Sequence, residues 1–397
     1  MGSLLNVTFV RLVLLLGTLC LSQGLKHNNR NVTSARQGKL FSLFNIVSFD
    51  NGPCQSSSSV GSGTNGNRNG TCYTANECIQ RGGSSSGNCA AGFGVCCVFY
   101  LSSGGTTAQN CTYLRNDNFP SGLSTTNGQS FTINKCSCDV CYLRLDFLTF
   151  SIQGMALTDE IMGSACVDSL KVTSSSNEPI PEICGQNSGQ HIYVDMDRGC
   201  SGNAKLDFSF TGEASTRIFE IKATQIECGS RSTPPDGCLQ YHTNLDGRFT
   251  TFNYAPMDNL HLEDQDYSIC IRQELGYCCV QYSVCPDDEA LGFSLSKGVI
   301  ADNAYTDSEC ATLDFVGIEG SSSACRQSGV PSTVFSRYCG QKLNDYTTAA
   351  LHTPICDCSP PFQVRIFTNK ISDIEDDETN TKISRGVCFE YTQIPCN

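Results

Sequence analysis

The chain has 397 residues, which is long enough for several domains, and its 39 acidic side chains outnumber 26 basic ones for a formal net charge of -13. This acidic balance argues against phosphate polymers and anionic membranes as partners, so binding to nucleic acid is not expected. The 27 cysteines argue against a reducing compartment such as the cytosol, where disulfides do not persist.

The N-terminus has the pattern of a signal peptide over residues 1–24. Arg11 precedes the apolar run Leu12–Leu21, and the small-residue sequence Ser-Gln-Gly follows as a cleavage pattern. The run is about half the length of the roughly 20 residues that a membrane-spanning helix needs. No later segment is apolar enough to serve as an anchor. We therefore expect a protein secreted to the extracellular space, without a membrane anchor.

The cysteine count predicts a disulfide framework. Cys20 lies within the predicted signal peptide, which leaves 26 cysteines in the mature chain. An even number in a secreted chain is typical of complete pairing with no free thiol. The alternative is a zinc site, because two clusters have ligand-like spacing: Cys136, Cys138 and Cys141, and Cys356 with Cys358. An oxidising compartment favours the disulfides, so no metal cofactor is expected from these clusters.

Three regions follow the signal peptide before the first long alternating pattern. Residues 25–53 are polar and aperiodic, which predicts a disordered leader. Residues 54–100 form a cysteine-rich module, within which the serine- and glycine-rich stretch 55–70 is predicted to be a flexible loop. Residues 101–110 are predicted to be a linker. Three sequons are candidates for N-glycosylation: Asn31, Asn69 and Asn110.

From Cys111 onwards, apolar and polar residues alternate with a period of two in short runs separated by Gly, Ser, Asn and Pro. This alternation predicts half-buried β-strands. The runs lie at 141–147, 206–210, 219–223, 267–271, 280–284, 362–366 and 387–391. No long amphipathic helix competes with them. The predicted fold is therefore all-β, with two antiparallel β-sandwiches preceded by a small disulfide-rich module.

The first cysteine cluster resembles the clip domain, a small arthropod module found ahead of serine proteases and their inactive relatives. The resemblance depends on six cysteines, on five residues between the second and the third, and on the adjacent final pair in GVCC. The family's pairing implies bridges between Cys54 and Cys96, Cys72 and Cys89, and Cys78 and Cys97. Connectivity is not deducible from the sequence itself, so an unrelated six-cysteine knot is the alternative.

Residues 111–230 resemble a CUB domain, which is a β-sandwich. The resemblance depends on the segments CYLRLDFLTFSIQG, CVDSLKV, PEICG and IFEIKATQIEC. It implies a bridge between Cys166 and Cys184. It also implies a bridge from Cys111 to one of three cysteines, which are Cys136, Cys138 and Cys141.

Residues 231–397 resemble a second CUB domain. CATLDFVGI corresponds to CVDSLKV, RYCG to EICG, and CFEYTQIPC to IFEIKATQIEC. The correspondence implies a bridge between Cys310 and Cys339. As a whole, the chain resembles arthropod secreted proteins with paired CUB domains. The three modules hold six, eight and twelve cysteines, so each module can close its own bridges.

Many CUB domains bind calcium through acidic residues at one end of the sandwich. Asp168 and Asp314 occupy the matching positions, and both are weak calcium candidates. Other positions of the motif are degraded, with Gln153 and Ser296 where acids are expected and Thr-Gly-Glu at 211–213 in place of Ser-Asp. Calcium is therefore not expected to bind, and a buried or turn-capping aspartate is the alternative role for both residues.

No catalytic residues are predicted. No nucleophile segment of a trypsin-like protease is present, and none of the five histidines lies in a recognisable catalytic context. The acidic runs at 287–289 and 373–378 are predicted to be solvated loops. We therefore expect a non-enzymatic recognition protein that binds an extracellular protein or glycan. The alternatives are a regulator of clip-protease cascades and a structural component of cuticle or extracellular matrix.

Overall fold

The computed structural model describes residues 48–57, 67–155, 166–211, 216–254, 261–286, 292–295, 304–319, 321–322, 334–345, 351–369 and 385–396. The predicted signal peptide, most of the predicted leader, Asn31, Ser296 and both acidic runs lie outside these residues. The chain divides into two compact units. One holds the residues up to Tyr100 together with Gln109–Thr112, and the other holds the rest. Each unit is described by itself.

The N-terminal unit is a small antiparallel sheet with one short helix. Its central strand, β4 (Gly94–Leu101), pairs with β2 (Asn69–Tyr73) on one side and with β3 (Ser84–Cys89) on the other. The strand β1 (Pro53–Gln55) pairs with β2. Thr74 caps the helix, because its side chain accepts a hydrogen bond from the backbone N–H of Glu77 at 3.2 Å. The elements are β1 (Pro53–Gln55), β2 (Asn69–Tyr73), α1 (Ala75–Gln80), β3 (Ser84–Cys89) and β4 (Gly94–Leu101), with a 3₁₀ turn at Ala90–Gly92.

Three disulfides hold this unit together. They join Cys54 to Cys96, Cys72 to Cys89 and Cys78 to Cys97, the same pairs that the clip resemblance implies. The apolar cluster around them is small, consisting of Tyr73, Cys78, Cys97 and Phe99 with Val95 against it. Because so small a core stabilises little, the cross-links supply most of what holds the fold.

Two sequence-based boundaries of this unit are wrong. Pro53 was expected in the disordered leader, but it pairs with Thr71 as the first residue of β1. Both ends of the predicted flexible loop 55–70 also lie in the sheet, because Gln55 pairs with Asn69 and Cys54 pairs with Gly70. Composition alone does not reveal such edge pairing, which depends on backbone hydrogen bonds to a distant strand.

The second unit begins with a β-sandwich of two four-stranded sheets. One sheet has the order β6-β12-β8-β10 and the other β5-β7-β11-β9. Inward-facing aromatic side chains fill the space between them, and the rings of Phe208 and Phe219 stack with centroids 4.0 Å apart. The strands are β5 (Thr106–Thr107), β6 (Thr112–Arg115), β7 (Gln129–Asn134), β8 (Val140–Ser151), β9 (Asp168–Ser174), β10 (His191–Asp195), β11 (Asn203–Phe210) and β12 (Ile218–Glu227).

A second β-sandwich follows directly. One sheet has the order β13-β15-β23-β19-β21-β18 and the other β14-β24-β16-β22-β20, with β17 also paired to β24. A 3₁₀ turn lies at Asp307–Cys310. The strands are β13 (Cys238–His242), β14 (Asp246–Thr250), β15 (Asp266–Ile271), β16 (Tyr277–Val284), β17 (Phe293–Ser294), β18 (Ala304–Thr306), β19 (Phe315–Gly317), β20 (Ser321–Ser322), β21 (Arg337–Gly340), β22 (Ile355–Asp357), β23 (Phe362–Phe367) and β24 (Gly386–Pro395).

The all-β prediction is confirmed, with two departures from it. The pairs β5–β7 and β13–β15 are parallel, whereas the neighbouring pairs β7–β11 and β15–β23 are antiparallel. The predicted linker 101–110 is also wrong in part. Thr106 and Thr107 form β5, and the backbone N–H of Gly104 donates to the carbonyl of Ser130 at 2.7 Å. A Gly/Ser-rich stretch can still pair when a neighbouring edge strand offers its backbone groups.

Disulfides cross-link each sandwich internally. In the first they join Cys138 to Cys200, Cys141 to Cys228 and Cys166 to Cys184. In the second they join Cys238–Cys270, Cys278–Cys396, Cys279–Cys358, Cys285–Cys388 and Cys310–Cys339. Both zinc clusters are made of disulfide-bonded cysteines, so the zinc alternative is wrong.

These bridges also narrow the choice for Cys111. Two of the three cysteines offered to it, Cys138 and Cys141, are bonded to other partners. A bridge from Cys111 to Cys136 stays a prediction.

The two sandwiches share one hydrophobic core. A single cluster of buried apolar side chains contains residues of both, from Leu114 to Tyr391. Hydrogen bonds also cross the joint: the backbone N–H of Asn253 donates to Asn187 Oδ1 at 2.8 Å, and Gln240 donates to Gln190 at 3.0 Å. The second unit is therefore one packed body rather than two independent beads.

Candidate functional site

Asp168 and an arginine form a buried ion pair in the first sandwich. Asp168 begins β9, and Arg217 immediately precedes β12 on the facing sheet. Arg217 Nε lies 2.7 Å from Asp168 Oδ2, and its Nη2 lies 2.9 Å from Oδ1. Both side chains have an exposed fraction of 0%. The guanidinium group therefore binds the carboxylate through two parallel charge-assisted hydrogen bonds that are shielded from water.

The remaining capacity of Asp168 is taken by backbone groups. Its oxygens also accept hydrogen bonds from the N–H groups of Gln153 at 2.9 Å and Thr211 at 3.3 Å. Gln153 and Thr211 belong to the two parts of the calcium motif that are degraded in the first sandwich. Arg217 in turn lies 5.0 Å from the ring centroid of Phe210 and donates to the carbonyl of Thr125 at 3.3 Å. The positions of the calcium motif therefore lie close together in the folded chain, but the cation that they surround is the guanidinium group of Arg217.

Asp314 in the second sandwich also has a buried partner, the imidazole of His261. It directly precedes β19, and its Oδ2 lies 3.1 Å from Nε2 of His261. Its Oδ1 accepts the backbone N–H of Asn369 at 2.8 Å. Both side chains of the pair are almost fully buried.

Calcium does not fit either of these positions. The ion needs six to eight hard oxygen ligands, whereas Asp168 is occupied by a guanidinium group and Asp314 faces an imidazole. In the part of the chain that the structure describes, no group of three or more His, Cys, Asp or Glu side chains could hold a metal ion. The weak calcium candidates are therefore structural carboxylates with protein partners.

The described histidines have structural surroundings. His191 and His242 lie at the joint between the sandwiches with ring centroids 5.0 Å apart. His352 Nδ1 accepts the backbone N–H of Leu343 at 3.1 Å. None of these contacts is the pairing of a nucleophile with a base. Over the described ranges, no helix has the length and apolar character to cross a bilayer.

The most exposed large apolar side chain among the described residues is Leu275, with an exposed fraction of 99%. It lies in the loop Arg272–Gly276 between β15 and β16, which belong to different sheets. Gly276 has φ of 88° and closes the turn, because a left-handed conformation suits glycine. Leu275 was not predicted from the sequence as an exposed residue. The signal in the sequence was an apolar residue next to glycine, between two predicted strands.

The backbone around Leu275 is held at several points. Glu274 N–H donates to Gln393 Oε1 at 2.9 Å, and Arg272 Nε donates to Glu274 Oε1 at 2.8 Å. Cys396 N–H donates to the carbonyl of Gly276 at 2.9 Å. The disulfide from Cys278 to Cys396 lies just beyond the loop. Leu275 is therefore fully exposed on a backbone with little freedom to withdraw it.

A second exposed leucine lies on a neighbouring loop. Leu245, with an exposed fraction of 40%, precedes β14, and its carbonyl accepts the backbone N–H of Gln393. The Gln393 side chain donates both to Asn244 O at 3.0 Å and to Arg272 O at 2.8 Å. One glutamine thus ties the two loops together. We call Leu245, Leu275 and the loops that carry them the leucine loops.

The structure describes two of the three candidate glycosylation positions. Asn69 is exposed at the start of β2. Asn110 is half-buried, and its Oδ1 accepts the backbone N–H of Cys111 at 2.8 Å. Glycosylation of all three asparagines stays a prediction.

Comparison with solved structures finds two chains with CUB and EGF domains and one receptor extracellular region. The CUB1-EGF-CUB2 domains of rat MASP-1 align at 13% identity over 74% of this chain and 99% of that chain, with a TM-score of 0.23. The CUB1-EGF-CUB2 domain of human MASP-1/3 aligns at 13% identity over 71% of this chain and 98% of that one, with a TM-score of 0.23. The full extracellular region of zebrafish Gpr126/Adgrg6 aligns at 10% identity over 74% and 36%, with a TM-score of 0.24.

Comparison with curated proteins finds no match. The family model of the animal CUB domain matches residues 235–394, which is nearly the span of β13 to β24. No enzymatic family is indicated. Residues 235–394 of this chain therefore match the animal CUB domain, a kind of domain that generally mediates protein interactions.

Proposed function

We propose that this is a secreted, non-catalytic recognition protein that binds an extracellular protein through the leucine loops of its CUB domain. The observation that carries the proposal is the complete exposure of Leu275 on a loop fixed by hydrogen bonds and a nearby disulfide. Burying this side chain against a partner would recover the free energy that its exposure to water costs. A rigid scaffold that presents such a loop is typical of binding surfaces.

A protein is favoured over a glycan as the partner. Leucine has no group that can hydrogen-bond sugar hydroxyls, whereas it fills an apolar pocket on a protein surface well. The polar groups around it, Arg272 and Glu274, are already paired with each other, with nitrogen and oxygen 2.6 Å apart. They would form a satisfied polar rim around an apolar centre, which is the usual anatomy of a protein interface.

Capture of extracellular proteins by the immobilised full chain tests this proposal. Leu275→Ser is expected to weaken binding of the captured partner at least about tenfold, which corresponds to loss of one buried anchor. The matched control is Leu351→Ser, because Leu351 is also strongly exposed, at 77%, but lies outside the leucine loops. Equal capture by the wild type and Leu275→Ser would refute the assignment of the surface.

Regulation of clip-protease cascades is the second candidate. It is favoured by the three disulfides of residues 54–97, which match the pairing of the clip family. Adding the full chain to a reconstituted clip-protease cascade tests it. A change in the rate of protease activation is expected, and the change should disappear in a chain that lacks residues 48–100. No effect on the rate would rule out this role.

A further inference from the structure

Two histidines meet where the sandwiches join. His191 lies in β10 of the first sandwich and His242 in β13 of the second, and their rings make an edge contact at 5.0 Å. Nε2 of His191 lies 3.1 Å from both the backbone nitrogen and the carbonyl oxygen of Tyr241. The ring can accept from the N–H in one tautomer or donate to the carbonyl in the other. This contact links the two sandwiches, and the charge of the ring is set by its other surroundings.

His242 has apolar and aromatic surroundings. Its ring centroid lies 6.0 Å from that of Phe249 and 5.9 Å from that of Tyr391. Its Nε2 is buried and has no hydrogen-bond partner among the described residues. A proton on this ring would therefore place a positive charge where neither water nor a carboxylate can stabilise it.

The charged groups that face the pair add no compensating negative charge. Arg144 on β8 donates to the hydroxyl of Tyr193 at 3.1 Å and to Asp146 at 2.8 Å. Asp146 is the partner of His191 in the sheet register, but its carboxylate is engaged by Arg144. The other titratable groups against the pair are neutral phenols, those of Tyr193, Tyr241 and Tyr391. Arg144 and Asp146 balance each other in charge, so in the described part of the chain no free carboxylate faces the two rings.

Burial and the nearby Arg144 both favour the neutral histidines. Burial, followed by the charges of Arg144 and His242, lowers the pKa of His191 to about 3. Burial, followed by Arg144, lowers the pKa of His242 to about 4. An imidazole in water titrates near 6.5. At a pH between the lowered pKa values and 6.5, the closed joint therefore binds fewer protons than an open joint.

Eight disulfides lie within one sandwich or the other, and none of these eight crosses the joint. Polar contacts across the joint include the amides of Gln190 and Gln240 at 3.0 Å and the hydroxyl of Tyr142, which donates to Asp236 at 3.1 Å. Opening the joint would expose the apolar surface that the sandwiches share, while these eight disulfides stay in place.

We propose that the joint between the sandwiches is an acid-sensitive hinge, closed while His191 and His242 are neutral and opened by their protonation in acidic fluid. The sign follows from proton linkage. The histidines stabilise the closed state fully above pH of about 6.5, and this stabilisation is lost as the pH falls toward their lowered pKa values. With two protons taken up on opening, the opening constant rises about a hundredfold per pH unit between about pH 5.5 and 4.5.

Hydrogen exchange of the full chain, followed by mass spectrometry from pH 7.5 to 4.5, tests the hinge. After correction for the intrinsic pH dependence of exchange, peptides that contain β10 and β13 should lose protection as the pH falls, while peptides of β11 should keep it. Small-angle scattering should show the radius of gyration increasing over the same range. Unchanged protection of β10 and β13 down to pH 4.5 would overturn the proposal without any variant.

Matched variants then assign the effect to the two rings. His191→Gln keeps an acceptor for the Tyr241 N–H, and His242→Phe keeps an aromatic ring. The double variant is expected to lose most of the hundredfold dependence, whereas the control His352→Gln, which alters a histidine within the second sandwich, should keep it. A double variant that folds and retains the full acid response would also overturn the proposal.

Discussion

Replacement of Arg217 by methionine is the substitution expected to destabilise the first sandwich most clearly. Methionine keeps the length and apolar stem of the side chain, but it removes the two hydrogen bonds to Asp168, at 2.7 and 2.9 Å. Asp168 then keeps only the backbone N–H groups of Gln153 and Thr211. Its exposed fraction is 0%, so water does not replace the lost partner.

The expected cost is about 3–5 kcal/mol in the free energy of unfolding, which is typical when one partner of a buried ion pair is removed. Urea denaturation under non-reducing conditions, followed by intrinsic fluorescence and circular dichroism, measures it. The second variant is Arg217→Met combined with Asp168→Asn. It removes the uncompensated charge and should recover more than about 1 kcal/mol of the loss.

The matched control is Lys205→Met on the same sandwich. Lys205 also pairs with an aspartate, at 2.8 Å from Asp207, but the two side chains are 51% and 39% exposed. An exposed pair contributes about 0–1 kcal/mol, so the control should be nearly neutral. A cost for Arg217→Met no larger than that of the control would refute the view that this arginine acts as an internal cation.

Two further predictions concern ions. Excess calcium and excess EDTA should give the same thermal unfolding midpoint for the full chain, because Asp168 is occupied by a guanidinium group and Asp314 by an imidazole; a calcium-dependent rise would contradict this. Asp357→Asn should stabilise the second sandwich at pH 8 but not at pH 4. Burial raises the pKa of Asp357 to about 6, so the wild type loses stability as the pH rises through that value. Asparagine keeps an acceptor for the Ser359 N–H, and equal unfolding curves at pH 8 would contradict the prediction.

The strands were predictable because burial on one face of a sheet imposes alternation. Leu206, Phe208 and Phe210 alternate with polar residues, and all three lie inward in β11. The same reasoning located β23, in which Phe362, Val364 and Ile366 are buried. Strands of two residues, such as β5, were missed because so short a segment carries no period.

The partners of the site residues were not predictable. Asp168 and Arg217 are 49 positions apart in the chain, and nothing in either local sequence signals that they meet. The exposure of Leu275 depends on the path of the loop between β15 and β16, which belong to different sheets. This path is a property of the folded chain rather than of the local segment. The sequence showed that the calcium motif is degraded, but it did not show that Arg217 is the cation that pairs with Asp168.

The core shared by the two sandwiches constrains how this protein can change over evolutionary time. Extracellular domains are commonly exchanged between genes as separate modules, which requires a boundary where few contacts cross. Here the boundary is crossed by apolar packing and by buried amides such as Asn187 and Asn253. A copy of the CUB domain moved alone into another chain would carry an apolar face made for its neighbour. We therefore expect the two sandwiches to be kept together as one unit, and a substitution on one side of the joint to favour a matching substitution on the other.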